Sequence, residues 1–134
     1  MKFFIHKNIP EAAGKLLEIF SDQAFEQKYN FEIFPYDPAV PDEVWIEQVG
    51  KQRPRPIIIS VDDGLLRNAV KRLALKDSGC SCIYLAEPWA NLPWHEYAWK
   101  IMKHWPDIVE LAKSSTVQCV INVSARGKLM RENL

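Results

Sequence analysis

The chain has 134 residues, enough to bury one sizeable core and few for two, so a single domain spanning 1–134 is expected. Lys+Arg and Asp+Glu both number 17, so the formal net charge is zero; this excludes a generally polycationic nucleic-acid or membrane binder and leaves only local patches for such contacts. Apolar residues make up 48% and charged residues 25%, an ordinary soluble composition, and no apolar run approaches the roughly 18 residues of a membrane span. Met1 to Ile5 is too short for the apolar part of a signal peptide, and a cytoplasmic protein is expected.

Lys2 to His6 (KFFIH) reads as a first strand. Asn8 and Pro10 signal a helix start, and Ile9, Ala12, Ala13, Leu16, Leu17 and Phe20 recur at helical spacing. Ser21 to Asn30 is polar with isolated aromatics and suits a turn and a short irregular helix. Phe31 to Tyr36 (FEIFPY) alternates as a second strand, and Pro35 near its end points to an edge position. Pro41 opens a second helix with Asp42 and Glu43 in its first turn, where carboxylates favour the helix dipole. Trp45, Ile46 and Val49 give that helix its apolar side, and Gly50 is a stop.

The stretch PIIISVDDGLLRN, Pro56 to Asn68, is the most informative in the chain. Ile57, Ile58 and Ile59 suit a strand buried on both faces. Asp62 and Asp63 follow at once, Gly64 breaks the strand, and Leu66, Ala69, Val70 and Leu73 repeat at helical spacing until Asp77-Ser78-Gly79. Cys82 to Ala86 is a fourth strand that Glu87-Pro88 ends. Trp94, Tyr97, Ala98, Ile101, Met102 and Trp105 make a helical stripe, Pro106 interrupts it, and Asp107 to Lys113 makes another helical run. Val117 to Val123 is a fifth strand, and SARGKLMRENL a basic, polar tail. Cys80, Cys82 and Cys119 sit in or beside apolar strands and read as buried free thiols.

Alternating strands and helices predict an α/β fold, a three-layer α/β/α arrangement around a five-stranded, mainly parallel sheet. The expected order puts the second strand between the first and third, or the third at an edge beside it. In such a sheet, strand C-termini and the next helix N-termini share one edge, where sites are built. His6, Asp37, Asp42, Glu43, Asp62, Asp63 and Glu87 all fall there. Clustered carboxylates suit Mg²⁺ or Mn²⁺ and metal-assisted phosphodiester hydrolysis. Each acid also has a purely structural use, since Asp at a strand–helix turn commonly caps the helix.

KFFIHKNIP, DEVWI at Asp42 to Ile46, and IISVDDGLLRN followed by a helix and a strand together resemble a PIN-like domain, closest to the small proteins grouped with VapC-type toxins. That resemblance implies a metal-dependent ribonuclease using Mg²⁺ or Mn²⁺, acting on RNA and neutralised by a cognate antitoxin protein. It assigns the family's helix acid to Asp42, with Glu43 beside it, and the acid of the S/T-x-D motif to Asp62, after Ser60. Asp63 and His6 become further metal ligands, and Arg67 holds the scissile backbone. The family's first acid is expected after strand one, where this chain has His6. Imidazole suits Mn²⁺ better than Mg²⁺, so a non-catalytic PIN-like binding module with a degraded metal site is the alternative.

Outside the acids, Arg67, Lys71, Arg72 and Lys76 form a basic run that either holds RNA phosphates or is a solvated face. Arg126, Lys128 and Arg131 of the tail admit the same two uses. Trp89, Trp94 and Trp105 are expected to pack in the core or against loops, whereas Trp99 falls off its helix's apolar stripe and is expected at a partner surface. His95 and His104 are expected in solvent. A homodimer fits the same view, and a flavodoxin-like regulatory domain docking through Trp99 is a third reading.

Overall fold

A computed structural model describes residues 1–25 and 28–134 of the chain. Its elements follow the order β1 (Lys2–Ile5), α1 (Glu11–Ala24), β2 (Asn30–Ile33), α2 (Asp42–Gly50), β3 (Ile57–Ser60), α3 (Gly64–Arg67), α4 (Ala69–Ser78), β4 (Cys82–Leu85), a 3-10 turn (Glu87–Asn91), α5 (Trp94–Ser114), β5 (Cys119–Val123) and β6 (Leu129–Asn133). The three-layer α/β/α architecture is as expected, but the sheet has six strands, ordered β2-β1-β3-β4-β5-β6, with only the β5–β6 pair antiparallel.

Two strand expectations are overturned. β1 lies between β2 and β3, so the second strand does not separate the first from the third, and β3 is interior. Composition explains this. Phe3, Phe4 and Ile5 are all buried, so β1 needs cover on both faces, whereas β2 carries Glu32, is exposed at Asn30 and half-exposed from Phe31 to Ile33. The edge position that Pro35 suggested for β2 is correct. The polar tail supplies β6, which pairs with β5 in register from Cys119↔Asn133 to Val123↔Leu129. Its side chains gave no apolar signal, because backbone pairing rather than burial holds it and its charges suit an edge. The hairpin turns at Gly127, whose φ is +84° and whose space a side chain would contest with the His104 ring. His104 is therefore partly covered, not free in solvent, while His95 is exposed as expected.

Alternation along the strands divides the core. Phe3, Ile5, Ile59, Ile83 and Ile121 face α1 and α5; Phe4, Ile58, Cys82 and Val120 face α2 and α4. The three cysteines are free and buried, and burial pushes the Cys82 thiol up to about 12. α5 runs unbroken through Pro106, contrary to the expected interruption. The missing N–H costs on the order of 3 kcal/mol, but Ile101, Trp105, Ile108 and Val109 are buried on both sides of it and hold the turns together. The short helix expected within Ser21 to Asn30 is in part the last turn of α1, and Glu26 and Gln27 lie outside the described residues. Trp89 and Trp105 are buried as expected; Trp94, the first residue of α5, is 45% exposed at the rim, and Trp99 is 59% exposed with Lys103 over its ring. Among the described residues no helix is long and apolar enough to cross a membrane.

One buried hydrogen bond ties the α1 and α5 layer together: the Trp105 indole N–H donates to Ser21 Oγ at 2.8 Å, and Ser21 is fully buried. Ser21→Ala leaves that N–H without an acceptor and should cost about 1–3 kcal/mol in urea denaturation. Ser21→Thr, which keeps the hydroxyl, should recover part of that loss.

Candidate functional site at the carboxyl edge

Three elements bring a polar cluster together on the α2 and α4 side of the sheet. His6 follows β1 on the same face as Phe4 and is 1% exposed. Asp42 is the first residue of α2 and is 8% exposed. Ser60, the last residue of β3, is fully buried. His6 Nδ1 lies 2.9 Å from Ser60 Oγ, and the same hydroxyl accepts the Asp62 backbone N–H at 2.9 Å. The Trp45 indole N–H, one turn into α2, donates to Asp42 Oδ1 at 2.8 Å, and its ring packs on His6 with centroids 4.9 Å apart.

The fourth member is Lys71, whose Nζ lies 2.9 Å from Asp42 Oδ2. Sequence reading placed it only in the basic run. Its position follows from a break the apolar spacing concealed: the helix expected from Leu66 onward is split at Asn68. The Asn68 side chain caps α4 by accepting the N–H groups of Val70 and Lys71 at 3.1 Å each. After the break the inward positions are Lys71, Ala74, Leu75 and Ser78, and Val70 and Leu73 turn to solvent. Gly50 lets α2 and α4 approach closely, since a Cβ there would lie 2.8 Å from Ser78 Cβ. The Asn68 cap was the available signal.

The other expected site residues divide. Asp62 lies within electrostatic reach of His6 and Lys71, and its Oδ1 accepts the Gly64 N–H at 2.9 Å, turning the chain into α3. Glu43, in α2's first turn, is exposed but within electrostatic reach of Lys71. Asp63 pairs with Arg67 at 3.6 Å, with the Arg67 side chain 83% exposed, so this pair faces solvent outside the cluster. Asp37 accepts the Ala39 N–H in its own turn, and Glu87 is exposed in the 3-10 turn.

Electrostatics describe a site neutralised from within. Burial pushes the Asp42 carboxyl up, but hydrogen bonds from Lys71 and Trp45, with the charges of Lys71 and His6, outweigh it and hold it below the ordinary 3.8. The Asp42 hydrogen bond raises the Lys71 ammonium above 10.5 against its own desolvation. Burial lowers His6 below 6.5; Asp42 and Asp62 oppose that shift, and Lys7 and Lys71 add to it. His6 is thus neutral at pH 7. Its Nε2 is buried without a hydrogen-bond partner among the described residues, and Asp42 Oδ1 at 3.7 Å is beyond hydrogen-bonding range.

This donor set does not fit a hard divalent cation as it stands. Mg²⁺ and Mn²⁺ need several free oxygens around one point. Here each Asp42 oxygen already accepts a hydrogen bond and one Asp62 oxygen is committed to the backbone. Among the described residues no three His, Cys, Asp or Glu side chains converge to hold an ion.

Because His6 binds its proton less readily folded than unfolded, its contribution to stability is full above pH 6.5 and lost as pH falls towards the folded value. The melting temperature should therefore fall between neutral pH and about pH 5, and His6→Gln should flatten that slope. His104, also lowered by burial, acts in the same direction, so His104→Gln serves as the comparison. A wild-type slope that His6→Gln leaves unaltered would show that His6 does not titrate in this way.

Fold and site together define an α/β domain whose sheet carries acids and a buried histidine at its carboxyl edge. A family model described as a PIN like domain matches residues 1–87, a span that contains the whole cluster, and the chain belongs to the PIN-like domain family. No curated protein and no solved structure matches it.

Proposed function

We propose that this chain is an RNA-binding PIN-like module whose edge has kept the shape of a nuclease-type site while Lys71 supplies the positive charge there. The observation that carries this reading is the Lys71 ammonium 2.9 Å from Asp42 Oδ2, with a neutral His6 where the resemblance places an acid. Arg67, on the neighbouring turn, extends an exposed guanidinium that suits phosphate contacts, and Lys7 stands exposed beyond β1. Fluorescence anisotropy with single-stranded RNA tests it. Binding should persist in EDTA, fall steeply with salt, and weaken several-fold in Arg67→Glu, with the RNA recovered intact. RNA cleavage that appears on adding Mn²⁺ and disappears in Asp62→Asn would overturn this reading.

One observation favours a second reading, the metal-dependent ribonuclease of a toxin–antitoxin pair. His6 Nε2 is buried and unsatisfied beside Asp42, as a ligand nitrogen without its ion would be. In that reading Asp42, Asp62 and His6 hold Mn²⁺ or Mg²⁺, with Glu43 and Asp63 as outer candidates. Arg67 positions RNA, a cognate antitoxin covers the edge, and Lys71 has to leave Asp42. The same assay separates the two.

A further inference from the structure

A pocket of about 350 Å³ lies at the same carboxyl edge, on the α1 and α5 side of the sheet, across from the polar cluster. Three segments that the topology gathers there wall it: Asn8 and Pro10 after β1, Leu92 after the 3-10 turn, and Trp94 and Tyr97 in the first turn of α5. Its volume falls in the range of small-ligand pockets, about 300–1,000 Å³. Among the described residues no charged side chain lines it. The Trp94 ring, half-exposed, stacks on that of Tyr97 with centroids 6.2 Å apart and 23° between planes. Trp89, fully buried, meets the Tyr97 ring edge-on at 5.8 Å and fixes it. Asn8 Oδ1 accepts the Val61 N–H at 3.4 Å, which anchors the amide one residue from Asp62 and leaves its NH₂ group to donate. The Tyr97 hydroxyl is buried with no hydrogen-bond partner among the described residues, an omission that calls for an explanation.

We propose that this pocket takes one unstacked base of a single-stranded RNA, with Trp94 as the stacking platform and Asn8 reading the base edge. The proposal rests on the RNA-binding reading and adds to it the part of the RNA held apart from the phosphates. A neutral, aromatic-walled space with few hydrogen-bonding groups suits a flat neutral heterocycle, since single-stranded RNA is recognised by stacking and by hydrogen bonds to base edges. A phosphate does not suit it. No cation lines the pocket, and Glu87 and Glu96 stand exposed in the flanking 3-10 turn and α5 turn. The phosphates belong instead to Lys7, next to Asn8, and to Arg67, both exposed. The Asn8 NH₂ group donates to a ring nitrogen or carbonyl oxygen of the base, and the Tyr97 hydroxyl finds in the base the partner that the fold does not supply.

Ligand-observed saturation-transfer NMR with adenosine and uridine tests the pocket without any phosphate. The base protons of at least one nucleoside should receive saturation from the wild type, and Trp94→Ala should abolish the signal with the melting temperature nearly unchanged. Asn8→Asp keeps the acceptor for the Val61 N–H and loses the NH₂ donors, so it should weaken the signal several-fold. Tyr97→Phe removes a hydroxyl that the fold leaves unpaired, so it should weaken nucleoside binding without lowering the melting temperature. Fluorescence anisotropy then carries the test to single-stranded RNA. Trp94→Ala should weaken binding roughly 10-fold or more while the salt dependence stays as in the wild type, whereas Arg67→Glu should reduce that dependence. RNA binding that Arg67→Glu weakens and Trp94→Ala does not, with no nucleoside signal, overturns the pocket and leaves the RNA reading standing. A nucleoside signal in a chain that binds no RNA sinks the RNA reading and with it the assignment to an RNA base. A pocket that takes a proline-rich peptide and no nucleoside overturns the proposal too.

Discussion

Lys71→Met should destabilise the fold by about 2 kcal/mol and, in the same step, make it responsive to Mn²⁺, which the wild type should ignore. Removing one partner of a buried ion pair commonly costs about 3–5 kcal/mol, because the other charge is left without compensation. Lys71 keeps 32% of its side chain in solvent against 9% for Asp42, so the effect is discounted for screening. The Asp42 carboxylate would then retain the Trp45 N–H alone. With one oxygen released, Asp42, His6 Nε2 and the free Asp62 oxygen become available to a soft-tolerant cation. Mn²⁺ should raise the melting temperature of the variant by several degrees through binding to the folded state alone. Urea denaturation with and without the ion measures both arms. The pH dependence has two limits. Lys71 is raised above 10.5 and Asp42 held below 3.8, so the pair's contribution is full between those values; it is lost as pH rises through the folded Lys71 value and lost as pH falls through the folded Asp42 value.

His6→Asp should be the most damaging single change at the site, about 3 kcal/mol in the absence of metal. It puts a second carboxyl in a space 1% exposed that faces Asp42, and like charges sharing a buried space cannot both ionise at low cost. It also discards the imidazole's contacts with Ser60 and with the Trp45 ring. In the Lys71→Met background the same substitution completes three acids, and Mg²⁺, which prefers oxygen, should then restore much of the lost stability. If His6→Asp is neutral alone and Mg²⁺ does nothing in the double variant, the His6–Asp42–Lys71 arrangement does not describe the site.

How much of this was legible in the sequence depends on what holds each part. β1, β3, β4 and β5 announced themselves because strands covered on both faces must be apolar, and α2 because Pro41, Asp42 and Glu43 mark its start. β6 escaped because a charged edge strand is held by its ladder, which no composition reports. The order of β1 and β2 had to be weighed from Glu32, a single polar residue in a short strand. At the site, His6, Asp42 and Asp62 were found because strand ends and helix starts share one edge. Glu43 and Asp63 were placed there by the same rule and Arg67 by the resemblance, yet Glu43 and Arg67 are exposed and Asp63 is half-exposed beside Arg67. Lys71 was missed because its role depends on the Asn68 cap, which resets the phase of α4; the same reset exposes Val70 and Leu73.

The proposal rests on Lys71 supplying the positive charge that the metal-dependent reading would assign to an ion. The most direct measurement is the melting temperature of the wild type through a Mn²⁺ titration, run beside Lys71→Met. A flat wild-type response within about 1 °C, with a saturable rise in the variant, is the expected result. A saturable rise of several degrees in the wild type that Asp62→Asn abolishes would contradict it.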